Sequence, residues 1–147
     1  MTRADLTRQI IVAKIQKQLT WREIAAAVGQ SEVWTTAALL GQMAMTKAQA
    51  EAATKILDLN DQAMQLLQIA PYKGSLGEAV PTDPLIYRFY EIVQVYGTTL
   101  KELIHEEFGD GIMSAIDFTM RLEREPDPKG DRVKITMSGK FLPYKTY

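Results

Sequence analysis

The chain has 147 residues, of which 46% are hydrophobic and 24% charged, the balance of an ordinary folded protein rather than a disordered or membrane one. Its formal net charge of −1 gives no global field to draw it onto nucleic acid or an anionic membrane, so any anion must be bound locally. The absence of cysteine excludes disulfide scaffolding, thiolate catalysis and Cys-based metal sites.

The first twenty residues carry charges throughout and contain no uninterrupted apolar run, which is neither a signal-peptide nor a membrane-span pattern and leads us to expect a cytoplasmic protein. Residues 1–70 show apolar spacing of three and four, interrupted by helix start signals, and predict five short helices. Ile10, Ile11 and Ile15 provide an apolar stripe for the first. Thr20 with Glu23 forms a capping box that starts the second, and Gly29 ends it. The third spans about Ser31 to Leu40, the fourth opens on Thr46 with Gln49, and the fifth begins near Asn60. The glycines and prolines of 71–82 predict a linker between this unit, 1–70, and a second one, 83–147.

In the second unit Asp83-Pro84 is a helix start, with an N-cap followed by proline at the first helical position. Gly97 predicts a stop, and Thr99 with Glu102 a further helix ending near Phe108, before the Gly109-Asp110-Gly111 turn. From Ile116 the pattern alternates, with Ile116, Phe118, Met120 and Leu122 on one face, and predicts a strand. After the polar turn 125–131, Val133, Ile135 and Met137 predict a second strand. The expected fold class is α+β, mainly α: a helix-turn-helix-like bundle, then a small helix and β-hairpin unit. A two-stranded hairpin is marginal alone in water, so its apolar face is expected to pack across a subunit interface.

The helices around Gly29 resemble a helix-turn-helix and raise the possibility of a DNA reader. The would-be recognition helix reads SEVWTTAALL, without one basic residue, and residues 1–70 hold seven Lys and Arg against six Asp and Glu. That is no electrostatic footprint for DNA, so a scaffold is expected, with Trp21 and Trp34 as core or interface aromatics and with no nucleic-acid partner.

Arg88, Glu91 and Gln94 lie three residues apart, forming a polar stripe along a helix whose other faces carry Phe89, Ile92, Val93 and Tyr96. Spacing alone allows a solvated ion pair. It also allows a partly buried guanidinium, which stays charged and needs an anionic partner. Ser114 follows a permissive glycine turn and could equally be a strand-start cap. His105 is the only histidine, so a histidine metal cluster is impossible, and a structural role is expected for it.

Several runs resemble the cyanase family: Pro81-Thr82-Asp83-Pro84, Tyr87 to Glu91, Gln94 to Thr99, Phe108 to Ile112 and Ser114-Ala115-Ile116. Ala37 to Gln42 and Gly139 to Pro143 look similar too. The resemblance implies bicarbonate-dependent decomposition of cyanate to ammonia and carbon dioxide through a carbamate, a carbon–oxygen lyase reaction with bicarbonate as co-substrate and no cofactor or metal. It also implies a helix-turn-helix-like domain not used for DNA, and a C-terminal domain forming interlocked dimers that build a decamer. The family's catalytic arginine, glutamate and serine fall on Arg88, Glu91 and Ser114.

Overall fold

The computed structural model describes residues 1–74, 77 and 79–145. The chain forms two compact units, Met1–Ser75 and Leu76–Tyr147. Of the expected linker 71–82, residues 75, 76 and 78 lie outside the described residues.

The first unit holds α1 (Arg3–Gln16), α2 (Trp21–Val28), α3 (Glu32–Leu39), α4 (Lys47–Leu57) and α5 (Asp61–Gln68). Each opens on a side-chain oxygen, from Thr2, Thr20, Ser31, Thr46 and Asn60 in turn, that accepts a first-turn backbone N–H. Thr2–Asp5, Thr20–Glu23 and Thr46–Gln49 are reciprocal capping boxes. Hydrogen bonds from the Thr2 backbone N–H and hydroxyl hold the Asp5 carboxyl down to about 2. Gly29 closes α2 at φ +75°, a left-handed conformation that glycine adopts without steric cost.

The core gathers Leu6, Ile10, Ile24, Leu39, Leu57 and Leu67, with Trp21 and Trp34 packed against it. The stripe expected for α1 is thus corrected. Ile10 is buried, but its core partner is Leu6, one turn earlier, whereas Ile11 and Ile15 are exposed. Positions four apart share a face, and position 11 is about 100° around the helix from position 10.

Arg3 fastens this unit. Its Nη1 donates to the Leu66 carbonyl at 2.8 Å, and its Nη2 donates to those of Ala38 at 2.8 Å and Met43 at 3.2 Å. Ala38 and Leu66 lie in the last turns of α3 and α5, so the guanidinium meets two helix C-termini, where unpaired carbonyls and the negative end of the helix dipole accumulate. Partial burial pulls its pKa down from the ordinary value. Arg3→Ala is expected to destabilise this unit by about 1–3 kcal/mol, because it removes a charged donor from three carbonyls, of which Ala38 and Leu66 keep a backbone partner, Gly41 N–H and Ile69 N–H, and Met43 loses the Arg3 bond outright. Denaturant unfolding followed by tryptophan fluorescence would measure the effect, and an unchanged midpoint would refute it.

The second unit holds α6 (Pro84–Phe108), β1 (Gly111–Glu125) and β2 (Arg132–Pro143), which makes the chain α+β. Asp83 caps α6 through the N–H groups of Leu85 and Ile86. The expected stop at Gly97 and second helix from Thr99 are corrected, since α6 runs unbroken through both. Gly97 does not take the left-handed conformation of a helix stop. An interior glycine costs only about 1 kcal/mol relative to alanine, which the good helix formers that follow it can absorb.

The strands pair antiparallel, and β1 begins at Gly111 rather than at Ile116. Met120 stands opposite Met137 and Leu122 opposite Ile135, on an apolar face. The other face pairs Glu123 with Lys134 and Glu125 with Arg132. Between Met113 and Phe118 the register breaks, and Ser114 to Asp117 stand against Lys140 alone. The bulge removes Ile116 from the expected apolar row and leaves it 95% exposed.

This unit has almost no interior of its own. No residue of α6 is buried, and Gly111 and Ser114 are the buried positions of the hairpin. Among the described residues no helix is long and apolar enough to cross a membrane.

Candidate active site

Helix α6 places Arg88 and Glu91 on one side, three residues apart, and they pair: Arg88 Nη1 donates to Glu91 Oε2 at 3.3 Å. The Tyr87 ring lies 5.9 Å from the guanidinium, close enough for a weak cation–π contribution. Of the two readings that the spacing allows, the single chain shows the solvated ion pair: the Arg88 side chain is 64% exposed and that of Glu91 47%. The apolar residues around the stripe are exposed as well, including Phe89, Ile92, Val93 and Tyr96. One helix touching a hairpin only sparsely cannot enclose them.

Ser114 occupies the bulge and is 6% exposed. Its Oγ accepts N–H groups from Ile116 at 3.1 Å and Asp117 at 2.9 Å. These amides fall where the strand ladder is broken, so the hydroxyl satisfies donors that the bulge would otherwise strand. Both acceptor positions are then used, and among the described residues the O–H has no acceptor, which leaves it able to donate. The local geometry therefore suits Ser114 to hydrogen-bond an anion, and not to attack as a nucleophile. The cap-like role weighed for it from sequence and a donor role are compatible.

His105 joins α6 to β1. Its Nε2 lies 3.0 Å from the Gly111 carbonyl, its Nδ1 lies 3.4 Å from Asp110 Oδ1, and its ring meets Tyr144 edge-on. Arg88 lies about 26 Å along the helix from this junction, at 1.5 Å per residue, whereas Ser114 is only three residues beyond Gly111. Among the described residues no hydrogen bond or ion pair joins Ser114 to Arg88 or Glu91. A single chain thus brings together two of the three candidates and not the third. Nor do the described residues contain a group of three or more His, Asp or Glu side chains that could hold a metal ion.

Sequence reasoning missed the bulge and the residue facing it. A Cβ on Gly139 of β2 would fall far inside contact distance of the Ser114 carbonyl oxygen. The available signal was a glycine inside an otherwise regular strand, which often marks a bulge or a close backbone approach.

In the helical unit, α3 offers no DNA-reading surface of the usual kind. Thr35, Ala38 and Leu39 are buried in the core, and Glu32 of α3 pairs with Arg22 of α2.

These features define a class of protein: a helix-turn-helix-like unit joined to a helix-and-hairpin unit that carries a guanidinium, a carboxylate and a hydroxyl. Residues 3–71 match the family model described as "Cyanate hydratase, N-terminal", and residues 78–146 match "Cyanate lyase C-terminal domain". The chain is 68% identical to a cyanate hydratase of Ralstonia pickettii and 67% identical to one of Dechloromonas aromatica, each over the full length of both proteins. A crystal structure of cyanase from T. urticae is similar at TM-score 0.81 and 38% identity, covering 95% of this chain and 97% of that one. The chain belongs to the cyanate hydratase family.

Proposed function

We propose that this protein is a cyanate hydratase, a carbon–oxygen lyase, whose site is built from Arg88 and Glu91 of one subunit and Ser114 of another. The observation that carries the activity is full-length identity of 60–68% to cyanate hydratases, with no part of the chain left unmatched. Bicarbonate adds through oxygen to the cyanate carbon, its hydrogen and one further proton pass to the cyanate nitrogen, and the adduct loses carbon dioxide to leave carbamate. Carbamate takes up a proton and breaks into ammonia and a second carbon dioxide. Overall, one cyanate, one bicarbonate and two protons give one ammonia and two carbon dioxide.

Both substrates are anions, so bringing them together demands fixed positive charge and hydrogen-bond donors in a site that limits water. Arg88 supplies the charge and a planar donor fork. Ser114 supplies its O–H. Glu91 is within reach of Arg88, which supports a role in orienting the guanidinium; proton delivery to the cyanate nitrogen is the alternative role for the same carboxylate. No cofactor takes part in this scheme, and bicarbonate is a co-substrate.

The separation of Ser114 from Arg88 along the chain supports a site shared between subunits. So does the uncovered apolar surface of α6 and the hairpin, which a stable protein must bury. We take the assembly to be a decamer of interlocked dimers, as the resemblance implies, located in the cytoplasm and requiring neither nucleic acid nor membrane.

The test is ammonia release from cyanate by the purified assembly, with and without added bicarbonate, beside Glu91→Ala and Ser114→Ala. Release that requires bicarbonate and falls in both variants is expected. An intact assembly that releases no ammonia would sink the proposal.

A further inference from the structure

We infer that Gly139 is a positioning residue for the reaction, because its missing side chain leaves the space in which the bulge holds Ser114. This rests on the reading of Ser114 as a site residue, and the experiment below separates the two.

Gly139 pairs with Phe118 at the edge of the register break. It is not among the glycines with positive φ, so its backbone conformation is open to any residue and does not explain the glycine. Space does. An added Cβ would overlap the Ser114 carbonyl oxygen and stand 2.6 Å from Met113 Cγ. Methionine is flexible and can yield. A backbone carbonyl cannot rotate away, and moving it means moving Ser114.

The bulge has little freedom to take up that movement elsewhere. Ser114 Oγ already holds the amides of Ile116 and Asp117, so the serine and the loop it caps shift as a unit. Restoring an ordinary van der Waals separation displaces Ser114 by on the order of 1 Å. A displacement of that size at a positioned group can lower turnover by about 100-fold without any loss of the group itself. Ser114 needs its hydroxyl; Gly139 needs only to stay small.

The experiment is a double-mutant cycle on the full-length assembly, using Gly139→Ala, Ser114→Ala and the double variant. The readouts are kcat/KM for bicarbonate-dependent ammonia release and assembly size by light scattering. Gly139→Ala is expected to assemble and to lose on the order of 10- to 100-fold in kcat/KM. In the Ser114→Ala background the same change is expected to have little further effect, because both substitutions act through one group.

Equal loss in both backgrounds, or full activity of Gly139→Ala beside an impaired Ser114→Ala, overturns the inference. A fully active Ser114→Ala instead overturns the reading on which it rests. Met113→Ala/Gly139→Ala removes the Met113 Cγ and Sδ contacts and keeps the Ser114 carbonyl in the way. It is expected to keep the loss, and full recovery would assign the effect to Met113. Failure of both Gly139 variants to assemble also counts against the inference, since the glycine would then serve the hairpin as a whole.

Discussion

Arg88→Ala is expected to lower kcat/KM for cyanate by on the order of 100- to 1,000-fold or more, with the assembly intact. The reaction joins two anions, and removing the guanidinium takes away the fixed positive charge opposing their repulsion. It also leaves Glu91, now without its partner at 3.3 Å, as one more negative group beside the substrates. Arg88→Lys separates these contributions. Lysine keeps the charge but loses the planar fork that can serve Glu91 and an anion at once, so a smaller but still large loss is expected. Because the Arg88 side chain is mostly exposed in the single chain, its removal should leave the fold of that chain unchanged. Steady-state kinetics with both substrates varied, alongside circular dichroism, would measure this. Wild-type kcat/KM in Arg88→Ala would remove this residue from the site.

The second large effect concerns the hairpin. Leu122→Asp is expected to break the assembly into smaller species and to reduce activity to background. Leu122 stands opposite Ile135, on the same face as Met120 and Met137, and is 57% exposed in the single chain. A carboxylate on a solvent-facing strand position normally costs little. One forced into an apolar interface without a partner costs several kcal/mol, repeated at each copy of the contact. The same substitution is therefore nearly silent if this face meets water, and disruptive if it meets another subunit. Sedimentation would report the species present and far-UV circular dichroism the survival of the first unit's helices. A Leu122→Asp protein of wild-type size and activity would show that this face is not an interface; a dispersed but fully active one would show that the site needs only one chain.

Much of the fold was legible in the sequence because its signals are local. Thr20 with Glu23 and Thr46 with Gln49 announced helices within four residues, and both are capping boxes in the structure. The hairpin was visible as alternation, and the turn after Phe108 as a pair of glycines. Gly97 was misread for the complementary reason. A glycine ends a helix only when its backbone turns left-handed, and nothing in the neighbouring residues reveals that it does not. The role of Arg3 was equally hidden, since its partners Ala38, Met43 and Leu66 lie far along the chain.

By itself the sequence determined the five helices of the first unit, the presence of the hairpin and the family, because caps, alternation and motif runs are short-range patterns. Only the tertiary structure decided how Ser114 is held, since the register break lies between Met113, paired with Phe141 of the other strand, and Phe118, paired with Gly139. It likewise decided that Arg88 and Glu91 meet on one helix while Ser114 sits near the opposite end of it. Distance between residues, unlike their identity, is a property of the folded chain, which is why the separation of Ser114 from Arg88 and Glu91 could be read only from the structure.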